Sequence, residues 1–467
     1  MKVLLVSTYD LGHQSFGLAS VAAWLRQRGA DVSMHDLSVQ PLDEASVCRA
    51  RLIAIYMPMH TATRLALPVL STCRTLNNDA HICCFGLYAP MNNDHLRDQG
   101  ADSVIGGEFE TSILEIYEKL DAGNSEPGAM LAPAAKPIDL RKQQFLQPDR
   151  EGLPALDNYT KLVMPDQTHR IVGYTEASRG CKHLCQHCPI VPVYEGQFRT
   201  VQRNIVMADI RQQVLSGAKH ITFGDPDFFN GVGHAVRIVT EMHSSFPELT
   251  YDVTIKVQHL LNHSTHLGTL AETGCLFVTT AVEAVDDRIL HLLQKQHTRA
   301  DFVSAVELTR SLGVDLAPTF VPFTPWTTAE GYIDLLQTID RLDLVSSVAP
   351  IQLAIRLLLP AGSLLLELEE TKQHVAHFDR KKLAYQWQHP DPAMDRLQID
   401  VQKLVQSGEY KRKQRRAIFQ DIWEIAHASC GKIAPPLTSS RSQAPVPHMT
   451  EEWYCCAEPT EHQFERI

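Results

Sequence analysis

Cys181, Cys185 and Cys188 stand in Ser-Arg-Gly-Cys-Lys-His-Leu-Cys-Gln-His-Cys-Pro, a CxxxCxxC spacing that puts three thiols on one tight loop. Three thiolates so placed can hold three irons of a cubane [4Fe-4S] cluster and leave the fourth iron open to a small molecule. An electron carrier takes a fourth cysteine nearby, and the next one here is Cys275. The spacing therefore points to a reactive cluster. Zinc is the competing chemistry, since it takes four Cys or His ligands and His183 and His187 lie inside the loop. A second thiol pair, Cys455-Cys456, sits near the C-terminus. Adjacent cysteines close a strained ring when oxidised but offer two soft donors to a thiophilic metal or metalloid. The plainer reading is a polar tail with incidental thiols.

Such groups need strands and helices to position them. Over residues 1–120, short apolar runs alternate with amphipathic stretches, as in a parallel α/β unit. Candidate strands are 3–7, 31–35, 52–57, 81–85 and 103–105. Between the first two, Leu18, Val21, Ala22 and Leu25 make one helical stripe that Gly29 ends. Five such units predict a flavodoxin-like doubly wound sheet with its crevice at the C-terminal strand ends. Residues 121–165 read as a linker rich in Gly, Pro and Ala. Over 166–366, strands at 171–176, 221–223, 253–257, 277–282, 315–320 and 351–355 predict a partial (β/α)6 barrel, with chemistry at its strand C-termini. A mostly helical extension over 367–430 and a flexible tail over 431–467 complete the expectation.

Composition narrows the partners. The chain has 467 residues, 44% of them apolar and 21% charged, with a net charge of −11. That balance argues against nucleic acid, which needs surplus Lys and Arg. The basic run Lys411-Arg412-Lys413-Gln414-Arg415-Arg416 precedes Ile418, Phe419, Ile422 and Trp423 at helical spacing, so it reads as the solvated face of an amphipathic helix. No apolar run is long enough to cross a bilayer. Eleven cysteines are an odd count for a disulfide framework, and a reducing cytoplasm is expected.

The CxxxCxxC loop behind the first barrel strand resembles the radical S-adenosylmethionine (SAM) superfamily, and several later segments fit that resemblance. Gly224-Asp225-Pro226 follows the second strand, where the family binds the SAM amino group, although Asp225 or Asp227 can equally cap a helix there. Glu283 ends the fourth strand, where the family has an acid near the SAM ribose, and Gln294-Lys295-Gln296-His297-Thr298 resembles a following Lys-Gly-His-Thr. Arg356 ends the sixth strand, where a cation could face the SAM carboxylate, although a solvated surface arginine is the commoner fate. Residues 1–120 resemble the cobalamin-binding-like domain that precedes such barrels, with Gly106-Gly107-Glu108-Phe109-Glu110 matching its Gly-Glu-x-Glu turn. Asp10 to Gly17 has the residue types of Asp-x-His-x-x-Gly at longer spacing, so His13 is not carried over as a cobalt ligand. Two states of this domain are compatible with the resemblance, one binding cobalamin and one serving as a scaffold over the barrel mouth. Cys455-Cys456-Ala457-Glu458-Pro459 is similar to the tail of the CUAEP/CCAEP radical SAM (seleno)protein group, which makes Cys455 and Cys456 catalytic candidates.

The resemblance implies an enzyme that reductively cleaves SAM at a [4Fe-4S] cluster and uses the radical on a small-molecule substrate. Its electron donor would be a flavodoxin or ferredoxin. An alternative is aminocarboxypropyl transfer from SAM to an arsenic or selenium species held by the tail thiols. A different class, a non-catalytic zinc- or cobalamin-binding sensor, is the third reading.

Overall fold

The computed structural model describes residues 1–123, 137–438, 446–451, 458–459 and 461–465. Six strands form the first sheet: β1 (Lys2–Ser7), β2 (Asp31–Asp36), β3 (Leu52–Tyr56), β4 (His81–Phe85), β5 (Ser103–Gly107) and β6 (Ile138–Asp139). They are parallel, in the order β2-β1-β3-β4-β5-β6. The first five positions follow the flavodoxin-like order expected from the sequence. β3 and β4 are buried along their whole length because helices cover both faces. Phe16–Gln27 and Phe109–Asp121 pack one face, and Glu44–Arg49 and His60–Leu76 pack the other. The strand order reverses between β1 and β3, and the apolar side chains Tyr9, Met59, Leu65 and Tyr88 gather at the crevice this opens.

The expected linker carries structure. Asp139 on β6 accepts the Glu108 backbone N–H at 2.6 Å, and Arg150 bonds Asp209 of the following domain at 2.8 Å. Its last part is β7 (Lys161–Val163), which pairs antiparallel with β8 (His169–Thr175). β9 (Ser178–Gly180) and β10 (Phe198–Thr200) make a small ribbon around the cysteine loop. β11 (His220–Phe223), β12 (Thr250–Thr254), β13 (Cys275–Glu283) and β14 (Asp315–Phe320) then join β8 in one parallel run, curled into a half-barrel.

One expectation needs correction. The sixth barrel strand, expected at 351–355, is instead a 3-10 turn, Pro350–Leu353. The Gln352 side chain accepts the Phe320 N–H at 3.2 Å, capping the edge of β14 in place of a backbone partner. Only a single parallel bridge, Phe323 to Arg356, continues the sheet there among the described residues. The extension over 367–430 is mostly helical, as expected. After a one-turn helix, Glu369–Lys372, it carries an antiparallel hairpin, β15 (Val375–Asp379) and β16 (Ala384–Trp387), whose turn Asp379 fixes by accepting from the Lys381 and Lys382 N–H groups. Helices Pro392–Tyr410 and Arg415–Ser429 follow, and their Val401, Val405, Ile418, Phe419 and Ile422 join the barrel core, as expected for an amphipathic segment. Finally β17 (His448–Met449) returns to pair with β7.

Candidate metal and cofactor site

The three cysteines sit on the loop that leaves β9 and leads toward β10. Buried Asp225, at the end of β11, accepts from the Ala177 N–H at 2.9 Å and the Ser178 hydroxyl at 2.5 Å, which fixes the entry to the loop. Gly180 takes a left-handed φ of +73°, and a Cβ there would lie 2.4 Å from the Gln197 carbonyl. Only glycine fits such a turn. Inside the loop the Cys188 N–H donates to the Cys185 carbonyl at 3.1 Å, and Gln186 N–H reaches Leu293 O at 3.0 Å. None of the three is in a disulfide; Cys185 is buried and the other two are half-buried. Burial pushes the Cys181 thiol up.

Two buried cations face these thiols. Lys256 follows β12, and its ammonium has no hydrogen-bond partner. Burial depresses its basicity, which Cys185 and Cys181 partly restore. Lys295 bonds Glu283 at 3.2 Å and also lies in the field of Cys185 and Cys188. Glu283, at the end of β13, accepts His187 Nε2 at 3.1 Å as well. Burial raises its carboxyl, but Lys295 and His187 more than offset that and hold it at about 2. His297 is buried, neither ring nitrogen has a partner, and burial lowers it to about 4. An unpaired buried ammonium is expensive unless an anion joins it. Three thiols on one loop beside Lys256 therefore fit an anionic [4Fe-4S] cluster with a carboxylate-bearing ligand.

The other sequence-derived residues divide. Gly224 is needed because a Cβ would fall 1.9 Å from the Tyr174 hydroxyl, a packing reason distinct from the expected approach to a ligand. Asp225 braces the loop, and burial raises its carboxyl to about 7. Pro226 is half-buried in the same turn. Arg356 is engaged by the C-terminal extension: it bonds Asp395 at 2.6 Å and the Trp387 carbonyl at 2.7 Å, and its guanidinium lies 3.5 Å from the Trp387 ring centroid. Cys455 and Cys456 lie outside the described residues. Lys256 and His259 were not singled out from the sequence. For Lys256 the available signal was position alone, the C-terminal end of a barrel strand.

Between the domains, Arg179 of β9 is buried against three carboxylates. It bonds Glu176 at 2.7 Å and Glu110 at 3.0 Å, with Glu108 at 3.5 Å, and its guanidinium sits on the Phe109 ring at 4.9 Å. The Gly-Glu-x-Glu turn of the first domain thus ends on the residue two before Cys181. His13 stacks on Tyr174 with ring centroids 4.9 Å apart, and burial lowers it to about 4. At the β1/β3 crevice Met59, Tyr88 and the partly buried Leu11, Leu87 and Met91 form an apolar cluster that fits the face of a flat macrocycle.

Residues 175–336 match the Radical SAM superfamily model. The hopanoid C-3 methylase of Methylococcus capsulatus is 23% identical over 67% of this chain and 62% of its own length. The ribosomal protein uS12 methylthiotransferase RimO of Desulfotalea psychrophila is 22% identical over 50% of each. The chain thus spans between half and two thirds of these two relatives. Among solved structures, the radical SAM methyltransferase TsrM from Kitasatospora setae, with tryptophan and a SAM analogue, superposes with a TM-score of 0.63 at 17% identity, covering 79% of this chain and 76% of that one. The cobalamin-dependent radical enzyme OxsB, with aqua-cobalamin and SAM, gives 0.66 at 13% identity over 87% and 67%. These likenesses bear out the expected succession of a doubly wound domain and a curled half-barrel, and that half-barrel is a Radical SAM superfamily domain.

Proposed function

We propose that this chain is a radical SAM enzyme acting on a small molecule, with Cys181, Cys185 and Cys188 as the ligands of a [4Fe-4S] cluster. The observation that carries it is the unpaired, buried Lys256 ammonium beside these thiols. A cluster of this kind with SAM on its open iron supplies one-electron cleavage of a SAM C–S bond. Lys256 would then serve as the counter-charge for the SAM carboxylate, with the Glu283–Lys295–His187 group beside the same thiols. The Arg179 seam closes one side against water, which strengthens the charge interactions inside. Met59 and Tyr88 would hold the apolar face of cobalamin, were it taken up. The named activities of the relatives, methylation and methylthiolation, favour transfer of a methyl-derived group. The net charge of −11 favours a small acceptor over RNA.

Anaerobic reconstitution tests this reading. Wild type is expected to hold about four irons and four sulfides per chain, and Cys185→Ser is expected to lose them. Turnover with SAM and dithionite should yield 5′-deoxyadenosine or S-adenosylhomocysteine. Methylthioadenosine as the main product would select aminocarboxypropyl transfer instead. Zinc with no labile sulfide in the wild type would sink the enzyme reading.

A further inference from the structure

Beside the cysteine loop lies a group of atoms that the cluster does not use. Asp227 Oδ2 is 2.7 Å from His259 Nδ1 and 3.3 Å from His183 Nε2. The two imidazole rings are 4.6 Å apart, and the three side chains are 2%, 13% and 10% exposed. All three atoms are buried, and none makes a hydrogen bond of acceptable geometry, to each other or elsewhere. The other oxygen of Asp227 is committed, accepting the Phe229 N–H at 3.1 Å. Atoms this close but misaligned for bonding one another are aimed toward a common third point. Metal bonds of about 2.0–2.1 Å place neighbouring ligand atoms near 3 Å apart.

We propose that His183, Asp227 and His259 form a mononuclear site for a divalent first-row cation, separate from the three-cysteine cluster. Two imidazoles and one carboxylate suit zinc or ferrous iron and leave coordination positions open. Cys181 Sγ lies within 4.8 Å of ligand atoms on His183 and Asp227, so the cation sits next to the cluster without needing that thiol. It joins three separate elements: the cysteine loop, the turn after β11 and helix Val257–Asn262. The inference does not rest on radical chemistry, since the ligands stand whether or not SAM is cleaved.

The test is a titration of the anaerobic, cluster-loaded full chain with Co(II) alone, iron and labile sulfide being measured on the same samples. The expected result is one cobalt per chain with a visible ligand-field band, at unchanged iron and sulfide. Asp227→Asn and His259→Ala, each keeping its iron, should bind cobalt at least about tenfold more weakly. Three results overturn the site: no cobalt uptake by wild type with a full cluster, equally tight uptake by both variants, or uptake only as iron leaves. The wild-type titration decides by itself if a variant fails to fold. Loss of iron from wild type would instead count against the cluster reading, so the two failures are distinguishable.

Discussion

Lys256 carries the largest unresolved charge at the site. A buried ammonium without a partner costs several kcal/mol in the empty protein and is repaid only when an anion arrives. Lys256→Met is therefore expected to raise the melting stability of the cluster-free chain by about 1–3 kcal/mol and to weaken SAM binding by at least about tenfold. Thermal unfolding and equilibrium dialysis measure the two effects; equal losses in both would mean that Lys256 is merely structural. Nearby, Gln296 stands at the glycine position of the Lys-Gly-His-Thr pattern with a φ of +60°. A non-glycine residue there is strained by about 1 kcal/mol. Gln296→Gly should hold or raise the melting temperature, and Gln296→Val should lower it. The thiols were legible because a loop motif is local, with all its ligands within eight residues. Lys256 and His259 lie some seventy residues downstream, and the fold alone brings them to the loop.

At the scale of elements, β9 supports both the cysteine loop and the domain seam, and Arg179 does the second. Removing its charge leaves three buried carboxylates uncompensated, so Arg179→Met is expected to cost about 3–5 kcal/mol. Denaturant unfolding reads that loss, and intact stability would remove the seam from consideration. Burial, opposed by Arg179, leaves the Glu108 carboxyl raised to about 7. Between its ordinary value near 4.5 and about 7, the folded chain keeps a proton that the unfolded chain has released. Stability then falls as pH rises through that window, by about one proton's worth of slope. Glu108→Gln, which mimics the protonated group, should flatten the fall between pH 5 and 7; an unchanged slope would assign it to another group. The central strands of the first sheet were readable from apolar runs because helices bury them on two faces. The hairpin β15–β16 was not, since its strands are only five and four residues long and His377, Asp379 and Gln386 interrupt their apolar residues. Nor did the apolar run at 351–355 reveal that Gln352 would cap β14 with a side chain.

Across the whole molecule, the C-terminal tail is bound to both domains. β17 extends the barrel sheet through β7, and the Thr450 N–H donates to the Lys161 carbonyl at 2.9 Å. The next residue, Glu451, accepts the Tyr9 hydroxyl at 2.9 Å on the first domain. Further on, Glu458 pairs with Arg64 and lies 3.4 Å from His60, and Arg64 sits over the Phe464 ring at 5.6 Å. A two-residue strand has no periodicity to read, which is why the sequence suggested only flexibility over this stretch. Each contact alone is weak, since partly exposed ion pairs contribute at most about 1 kcal/mol. If the contacts at 448–451 and 458–464 act as one unit, loosening the second set must loosen the first. Arg64→Ala is thus expected to speed amide exchange at Thr450 and Glu451 about fivefold, the factor for roughly 1 kcal/mol. High salt, which screens the Glu458 pair, should bring wild type toward the variant. Exchange at Thr450 that ignores both changes would mean two independent attachments, with the β7 edge holding the tail regardless of what happens at Arg64.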